Sequence, residues 1–314
     1  MVAAAPPKPS GTLRPVKRFE RQDVSFTSSG SLCAAWLYIP EGVDPHPTVV
    51  MAHGLGGQRR FRLDAYGERF AAAGIAALVF DYRHFAESEC EPRQLVSITR
   101  QLADWRAAIN LVRSHPRLDS ARVAIWGTSL AAGHVQALAA KDGGIAAAVA
   151  QVPFVDGRAA SRALGLRRSL RLARAAYRDR IRTAVGREPY CVLIWGPPGS
   201  LAAMSGPGEA EAITTNLLPP GDWDDTMPAR VLASLPYYRP GRDAEQISCP
   251  ILYQVGEHDA LTPPGPALEA AARAPRAEVR RYPIGHFDIY TGEWFERAVG
   301  EQIEFLVRHL ETKA

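Results

Sequence analysis

Apolar residues along this chain follow two alternating patterns. Short continuous apolar runs, as strands buried on both faces require, are separated by stretches whose apolar residues recur every three or four positions, as amphipathic helices require. Asp23 to Phe26 and Leu32 to Ile39 predict a β-hairpin turning at Ser28-Ser29-Gly30. Thr48 to Ala52 predicts a buried strand, Leu63 to Ala73 a helix ending at Gly74, and Ile75 to Phe80 the next strand. Leu102, Trp105, Ile109 and Val112 line one face of a helix over Ile98 to Val112. Arg122 to Trp126 reads as a strand, Leu130 to Ala140 as a helix, and Ile145 to Gln151 as a strand.

The alternation then stops. From about Pro153 to Ser248 a basic helical stretch precedes a segment rich in proline and glycine, including Gly196-Pro-Pro-Gly199, Ser205-Gly-Pro-Gly208 and Leu218-Pro-Pro-Gly221. It resumes with a strand over Ile251 to Val255, a helix over Pro266 to Arg273, a strand over Glu278 to Tyr282 and a closing helix from Trp294 to Leu310. Repeated strand–helix units predict an α/β fold, a mostly parallel sheet with helices on both faces. The expected organisation is a disordered arm over 1–20, a core formed by 21–152 and 249–314, and a helical and irregular cap insertion over 153–248.

Composition narrows this picture little. With 314 residues and 46% hydrophobic positions the chain can bury one large core, and a formal net charge of +4 asks for neither nucleic acid nor membrane as a partner. No apolar run approaches the roughly 18 to 20 residues of a membrane span, and the N-terminal residues lack an export signal, so the expected location is the cytoplasm. Cys33, Cys90, Cys191 and Cys249 are scattered, without a Cys-x-x-Cys pair, and read as buried or free thiols. No metal and no cofactor is expected.

The chemistry lies in four loops. Gly127-Thr-Ser-Leu-Ala131 sits where a strand runs straight into a helix, the setting of a nucleophile elbow, with Ser129 as nucleophile. A serine needs a base and the base an orienting carboxylate, in the chain order Ser, acid, His. His286 follows one predicted strand and Asp259 the strand before it, so strand polarity brings both to the sheet edge that carries Ser129. Asp259 is preferred to Glu257, nearer its strand end, and to Asp156, which follows an earlier strand. The loop His53-Gly54-Leu55-Gly56-Gly57 supplies an oxyanion donor from the Leu55 backbone N–H, and Leu130, after the nucleophile, supplies the second. The loop lacks the Gly-Lys-Ser/Thr ending of a phosphate cradle and the spacing of a dinucleotide site. His53 is expected to shape its loop, His134 to pack beneath the site, Asp288 to cap a loop or helix start, and Asp81-Tyr82-Arg83 to buttress the elbow through an Arg–carboxylate contact.

Between Arg158 and Arg187 stand ten arginines and one acid, Asp179, while Leu166, Leu170, Ala173, Tyr177 and Ile181 keep helical spacing. The plain expectation is a cap helix packed through that apolar face with its arginines solvated. Sharper alternatives are a site for an anionic substrate or for an acidic carrier protein. A membrane-surface role is disfavoured because no bulky aromatic insertion face is evident.

The segments Pro47-Thr-Val-Val-Met-Ala-His-Gly-Leu-Gly-Gly57, Val79-Phe-Asp-Tyr-Arg83, the elbow at Ser129 and Arg281-Tyr-Pro-Ile-Gly-His-Phe-Asp-Ile-Tyr290 resemble bacterial α/β-hydrolases of the dienelactone hydrolase and Xaa-Pro dipeptidyl-peptidase (S15)-like group. The resemblance spans about Val24 to Leu310 and implies the α/β-hydrolase fold and a catalytic triad. Dienelactone hydrolase uses a cysteine nucleophile; serine at 129 favours ester chemistry. The expected activity is cleavage of a small-molecule ester or thioester through an acyl-enzyme, the substrate being anionic or carrier-bound in the sharper alternatives. An acyltransferase, a cyclase or a non-hydrolytic enzyme of a natural-product pathway on the same fold is the alternative, and a homodimer is left open.

Overall fold

A computed structural model describes residues 17–206, 208–218 and 224–311. Most of the expected N-terminal arm, together with Pro219, Pro220 and Gly221 of the irregular segment, lies outside the described residues; Phe19 and Glu20, assigned to that arm, instead open the first strand.

The chain begins with a hairpin, β1 (Phe19–Ser28) and β2 (Ser31–Pro40). Its two-residue turn holds Ser29 at φ 48° and Gly30 at φ 86°, the left-handed pair whose twist matches antiparallel strands. There follow β3 (His46–Ala52), α1 (Leu63–Ala72), β4 (Ala76–Phe80), α2 (Ile98–Ser114), β5 (Leu118–Thr128), α3 (Leu130–Ala139) and β6 (Ala147–Gln151). The next segment contains α4 (Gly157–Ala163), α5 (Leu166–Ala184), β7 (Cys191–Trp195), β8 (Ala202–Met204), α6 (Glu209–Asn216) and β9 (Thr226–Pro228), then three short 3-10 turns. The chain closes with β10 (Ile251–Gly256), α7 (Pro264–Arg273), β11 (Ala277–Tyr282) and α8 (Gly292–Leu310).

Eight strands form one sheet in the order β1-β2-β4-β3-β5-β6-β10-β11, parallel from β4 to β11 and antiparallel at β1-β2 and β2-β4. Its central strands are buried along their whole length, as helices on both faces demand. Neighbouring residues of β10 show the two layers. The Tyr253 hydroxyl bonds to Gln136 of α3 at 3.2 Å, while the side chain of Gln254 meets Gln302 of α8 at 2.5 Å. Successive strand side chains point to opposite faces, so α3 and α8 cover opposite sides.

Gln302 ties α8 to the sheet. Its amide nitrogen also donates to Gln151 at 2.8 Å, and its oxygen accepts from the Trp126 indole at 3.0 Å. Every polar atom of this buried side chain is thus bonded, which low-polarity surroundings make necessary.

The segment between β6 and β10 departs from its sequence reading in two ways. The run Cys-Val-Leu-Ile-Trp195 is a strand, paired parallel with β8 and antiparallel with β9 in a separate three-stranded sheet, where the sequence pattern suggested no strands. Helix α5 packs through the face opposite to the expected one. Leu172, Ala175, Ala176 and Asp179 are buried, whereas Leu166, Leu170, Tyr177 and Ile181 are exposed. Asp179 drives this orientation: its carboxylate accepts from the Arg230 Nε at 2.7 Å, from Arg230 Nη2 at 3.1 Å, and from the backbone N–H groups of Tyr190 and Arg230. Burying a carboxylate is costly unless it is paired and bonded; these four donors offset that cost and fix the helix with Asp179 facing them.

Candidate active site

Ser129 is the single residue between β5 and α3, at φ 56° and ψ −121°, a conformation that costs a non-glycine residue strain. Two glycines make room for it. A Cβ on Gly127 would lie 2.5 Å from the carbonyl of Ala131, and one on Gly54 would lie 2.8 Å from the Ser129 Cβ. The elbow is pinned on both sides: the Ser129 N–H donates to Gln151 O at 2.9 Å, and the Ser129 carbonyl accepts from Phe154 N at 3.0 Å.

Asp259 lies in the loop after β10 and His286 in the loop after β11. Both are buried, and His286 Nδ1 is 2.6 Å from Asp259 Oδ2. With Nδ1–H donating to the carboxylate, the imidazole presents Nε2 as an acceptor. The other carboxylate oxygen accepts from the backbone N–H groups of Leu261 at 2.9 Å and Thr262 at 2.7 Å. The Thr262 hydroxyl lies 2.6 Å from Asp259 Oδ2, 3.1 Å from the Val152 carbonyl and 3.4 Å from His286 Nδ1. Thr262 was not singled out from the sequence; its place three residues after the acid in a strand-end loop was the available signal.

The structure brings Ser129 and His286 together on the wall of one small cavity, with Leu55, Thr128, Trp195 and Tyr290 among its other lining residues. A larger cavity of about 330 Å3 shares Ser129, Leu55 and Met204 with it. Leu55 and Leu130 both line it, and Leu130 is the first residue of α3, where a backbone N–H has no partner within the helix. Most of the remaining wall comes from α4, α5, β8 and the 3-10 turns Ala229–Ala233 and Leu235–Tyr237, with Phe154, Leu261 and Thr262; it is overwhelmingly apolar and, among the described residues, contains no arginine.

The rival residues are engaged elsewhere. Asp156 caps α4, accepting from Arg158 N at 2.8 Å and Ala159 N at 3.0 Å, and is paired with Arg239 at 2.6 Å. Glu257 is paired with Arg281 at 2.8 Å. Asp288 caps its loop, accepting from Gly285 N at 2.8 Å. His53 Nδ1 lies 2.9 Å from the Gly54 carbonyl, and its ring packs on Tyr82 and Phe85; burial pushes its pKa down to about 4. His134 is buried between Gln101 and Tyr238, 3.0 and 2.8 Å from their oxygens, and burial lowers its pKa to about 3. Two Arg–carboxylate contacts buttress the loop after β4. Asp81 accepts from Arg59 N and Nη1 at 2.6 and 2.7 Å, and Arg83 Nε donates to Asp104 at 2.6 Å. Burial raises the Asp81 carboxyl to about 6 against the pull of Arg59. Among the described residues no cluster of His, Cys, Asp or Glu could hold a metal, and no helix is long and apolar enough to cross a membrane.

Residues 43–186 match the family described as serine aminopeptidase, S33. The match supports the wider α/β-hydrolase grouping and not the dienelactone hydrolase and S15 group suggested by the motifs. Among solved structures, the α/β-hydrolase GrgF from Penicillium sp. sh18 superposes with a TM-score of 0.79 at 23% identity, over 93% of this chain and 99% of that one. The polyketide transferase ATR5 of Stachybotrys chlorohalonatus is 28% identical over 92% of this chain and 98% of its own length. The quorum-quenching protein AidA of Acinetobacter baumannii is 44% identical over 93% of this chain and 96% of its own. With identity at that level along nearly its whole length, the chain belongs to the family of AidA, and its fold and matched segment make it an α/β-hydrolase.

Proposed function

We propose that this enzyme is a serine hydrolase that cleaves a small-molecule ester or thioester with an apolar acyl group. The observation that carries the proposal is the 2.6 Å contact between His286 and Asp259, with His286 and the strained Ser129 on one cavity wall. Ser129 Oγ attacks the carbonyl carbon and passes its proton to His286 Nε2, while Asp259 stabilises the imidazolium. The N–H groups of Leu55 and Leu130 hold the oxyanion. As the tetrahedral intermediate collapses, the alcohol or thiol leaves with the proton from His286. A water then gives its proton to the same nitrogen and attacks the acyl-enzyme, releasing the acid and Ser129.

Residues 153–248 act as the cap. They supply most of the apolar wall of the larger cavity, which suits an uncharged acyl chain; the absence of arginine from that wall counts against an anionic group there. The quorum-quenching relative supports a small-molecule substrate. Hydrolysis is preferred to acyl transfer on the family match, although a polyketide transferase stands among the relatives.

A fluorophosphonate probe and a series of p-nitrophenyl esters test the proposal. Ser129→Ala is expected to abolish labelling and to lower turnover by about 10⁶. Labelling that persists in Ser129→Ala removes the serine from its role. Acyl-enzyme that forms but is released only by an added alcohol or thiol reassigns the reaction to transfer.

A further inference from the structure

Helix α5 leaves a row of large apolar side chains in solvent. Leu166, Leu170, Tyr177 and Ile181 are each more than half exposed, and Tyr237 of a neighbouring 3-10 turn is 78% exposed. At 3.6 residues per turn the four helical positions fall within about 60° of one another, away from the buried side that carries Leu172, Ala175, Ala176 and Asp179. One flank between the two faces holds Arg167, Arg171, Arg174, Arg178 and Arg182. None of these five is paired with a carboxylate among the described residues, and the only acid of the helix, Asp179, is taken by Arg230. Leu170, Tyr177 and Tyr237 also line the larger cavity, so the exposed row is continuous with the cavity mouth.

We infer that α5 is an interfacial helix that seats on an anionic lipid surface, with its apolar row immersed and its arginines on the headgroups, so that the cavity mouth opens towards lipid-dissolved substrate. Apolar side chains beside arginines that have no carboxylate partner fit an anionic amphiphilic plane better than water or a neutral protein surface. Tyr177 and Tyr237, which the fold brings to one cavity mouth, supply amphipathic rings of the kind that settle at headgroup depth. They reverse the sequence expectation against a membrane-surface role, which rested on the lack of an aromatic face in the helix itself. A second copy of the chain would bring one arginine-rich helix against another. Residues 1–16 carry Lys8 and Arg14 and no acid, so their charge does not suit them as a cover either. Docking stands on this surface alone, whereas its use in loading the cavity rests on the proposed hydrolase activity.

Flotation of the full chain with vesicles tests the inference. Binding is expected to phosphatidylcholine vesicles containing phosphatidylglycerol and not to phosphatidylcholine alone, with release at about 1 M salt, where screening is nearly complete. Arg167→Ser with Arg174→Ser should weaken binding about thirtyfold. Leu166→Ser with Ile181→Ser should weaken it at least about tenfold. None of these four residues lines the cavity, so both double variants should hydrolyse a short soluble ester at the unaltered rate. Failure to float with the anionic vesicles overturns the inference, as does flotation unaffected by both double variants. A wild-type dimer that Leu166→Ser with Ile181→Ser converts to monomer assigns the row to a second copy. Capture on an acidic protein without vesicle binding assigns it to a protein partner. Flotation by a chain that turns over no ester leaves docking standing and removes the hydrolase reading instead.

Discussion

The strand-end loops and helix α5 both border the larger cavity, yet they treat charge in opposite ways. In the loops the central charged group is buried and bonded: Asp259 receives two backbone N–H groups and contacts both His286 and Thr262. On α5 the exposed arginines Arg167, Arg171, Arg174 and Arg178 have no carboxylate partner among the described residues, while Asp179 is buried and bonded. A buried and fully bonded group cannot reorient without losing its partners, which suits chemistry that needs fixed geometry. Exposed cations without a fixed carboxylate partner can follow a variable one, which suits recognition. Strand ends supply the first kind of surface because the sheet holds them from below; a helix attached through one narrow face supplies the second.

The largest test of this contrast is removal of charge from the acid. Asp259→Asn keeps the size of the side chain but disturbs the Nδ1–H donor arrangement. It is expected to lower kcat by about 10⁴ with little change in melting temperature. A fall of tenfold or less would show that the carboxylate does not orient His286. Next in size is Asp179, the one acid on α5 that behaves like a loop residue. Asp179→Ala leaves Arg230 and two backbone N–H groups without their acceptor, and should cost about 3 kcal/mol, the lower end for a broken buried pair because Arg230 retains some solvent access. Urea unfolding measures it; a loss below about 1 kcal/mol would mean that the pair behaves as a surface contact.

The same contrast explains what the sequence discloses. Ser129, His286 and Asp259 were legible because parallel strands deliver the residues that follow them to one edge, so position after a strand predicts position in space. Core strand and helix bounds were recovered to within a few residues for the same reason: apolar period there reports burial directly. On α5 period misled. Leu166, Leu170, Tyr177 and Ile181 have the spacing of a packed face, but a buried carboxylate bonded to Arg230 and Tyr190 outweighs it, and no local pattern announces partners that lie 51 and 11 residues away. Strand β7 was hidden by its setting between proline- and glycine-rich stretches, and the three-glutamine bridge at Gln302 by the need for three distant elements to meet.

Thr262 sharpens the comparison within the loops. Among the described residues its hydroxyl is the only side-chain group other than the His286 ring bonded to Asp259, and it shares Oδ2 with that ring. Thr262→Val removes the hydroxyl and keeps the backbone donor at Oδ1. Loss of one hydrogen bond to a charged group should lower kcat about tenfold and leave KM unchanged, with Thr262→Ser restoring the rate. Equal changes in kcat and KM, or no rescue by serine, would make Thr262 a packing residue only.

The smallest effect expected is the response of stability to acid, and it too divides the molecule. His53 and His134 are held neutral by burial, with pKa values lowered to about 4 and about 3 from an ordinary 6.5. Between those values and 6.5 the unfolded chain binds more protons than the folded one, so their contribution is complete above about pH 6.5 and is lost as pH falls towards 4. Asp81 works in the opposite sense. Its carboxyl, raised to about 6, takes up a proton in the folded state before the unfolded state does, and this offsets part of the loss between about 6 and 4. His84, lowered to about 4 by burial, and His46 and His309, also lowered by burial, act with His53 and His134 against Asp81 and the likewise raised Asp104. The histidines leave a net fall, so the melting temperature should drop by a few degrees from pH 7 to pH 5. Replacing His134 by Gln should flatten that slope by removing one of its sources. A melting temperature that rises on acidification would show that Asp81 and Asp104, and not the buried histidines, govern the response.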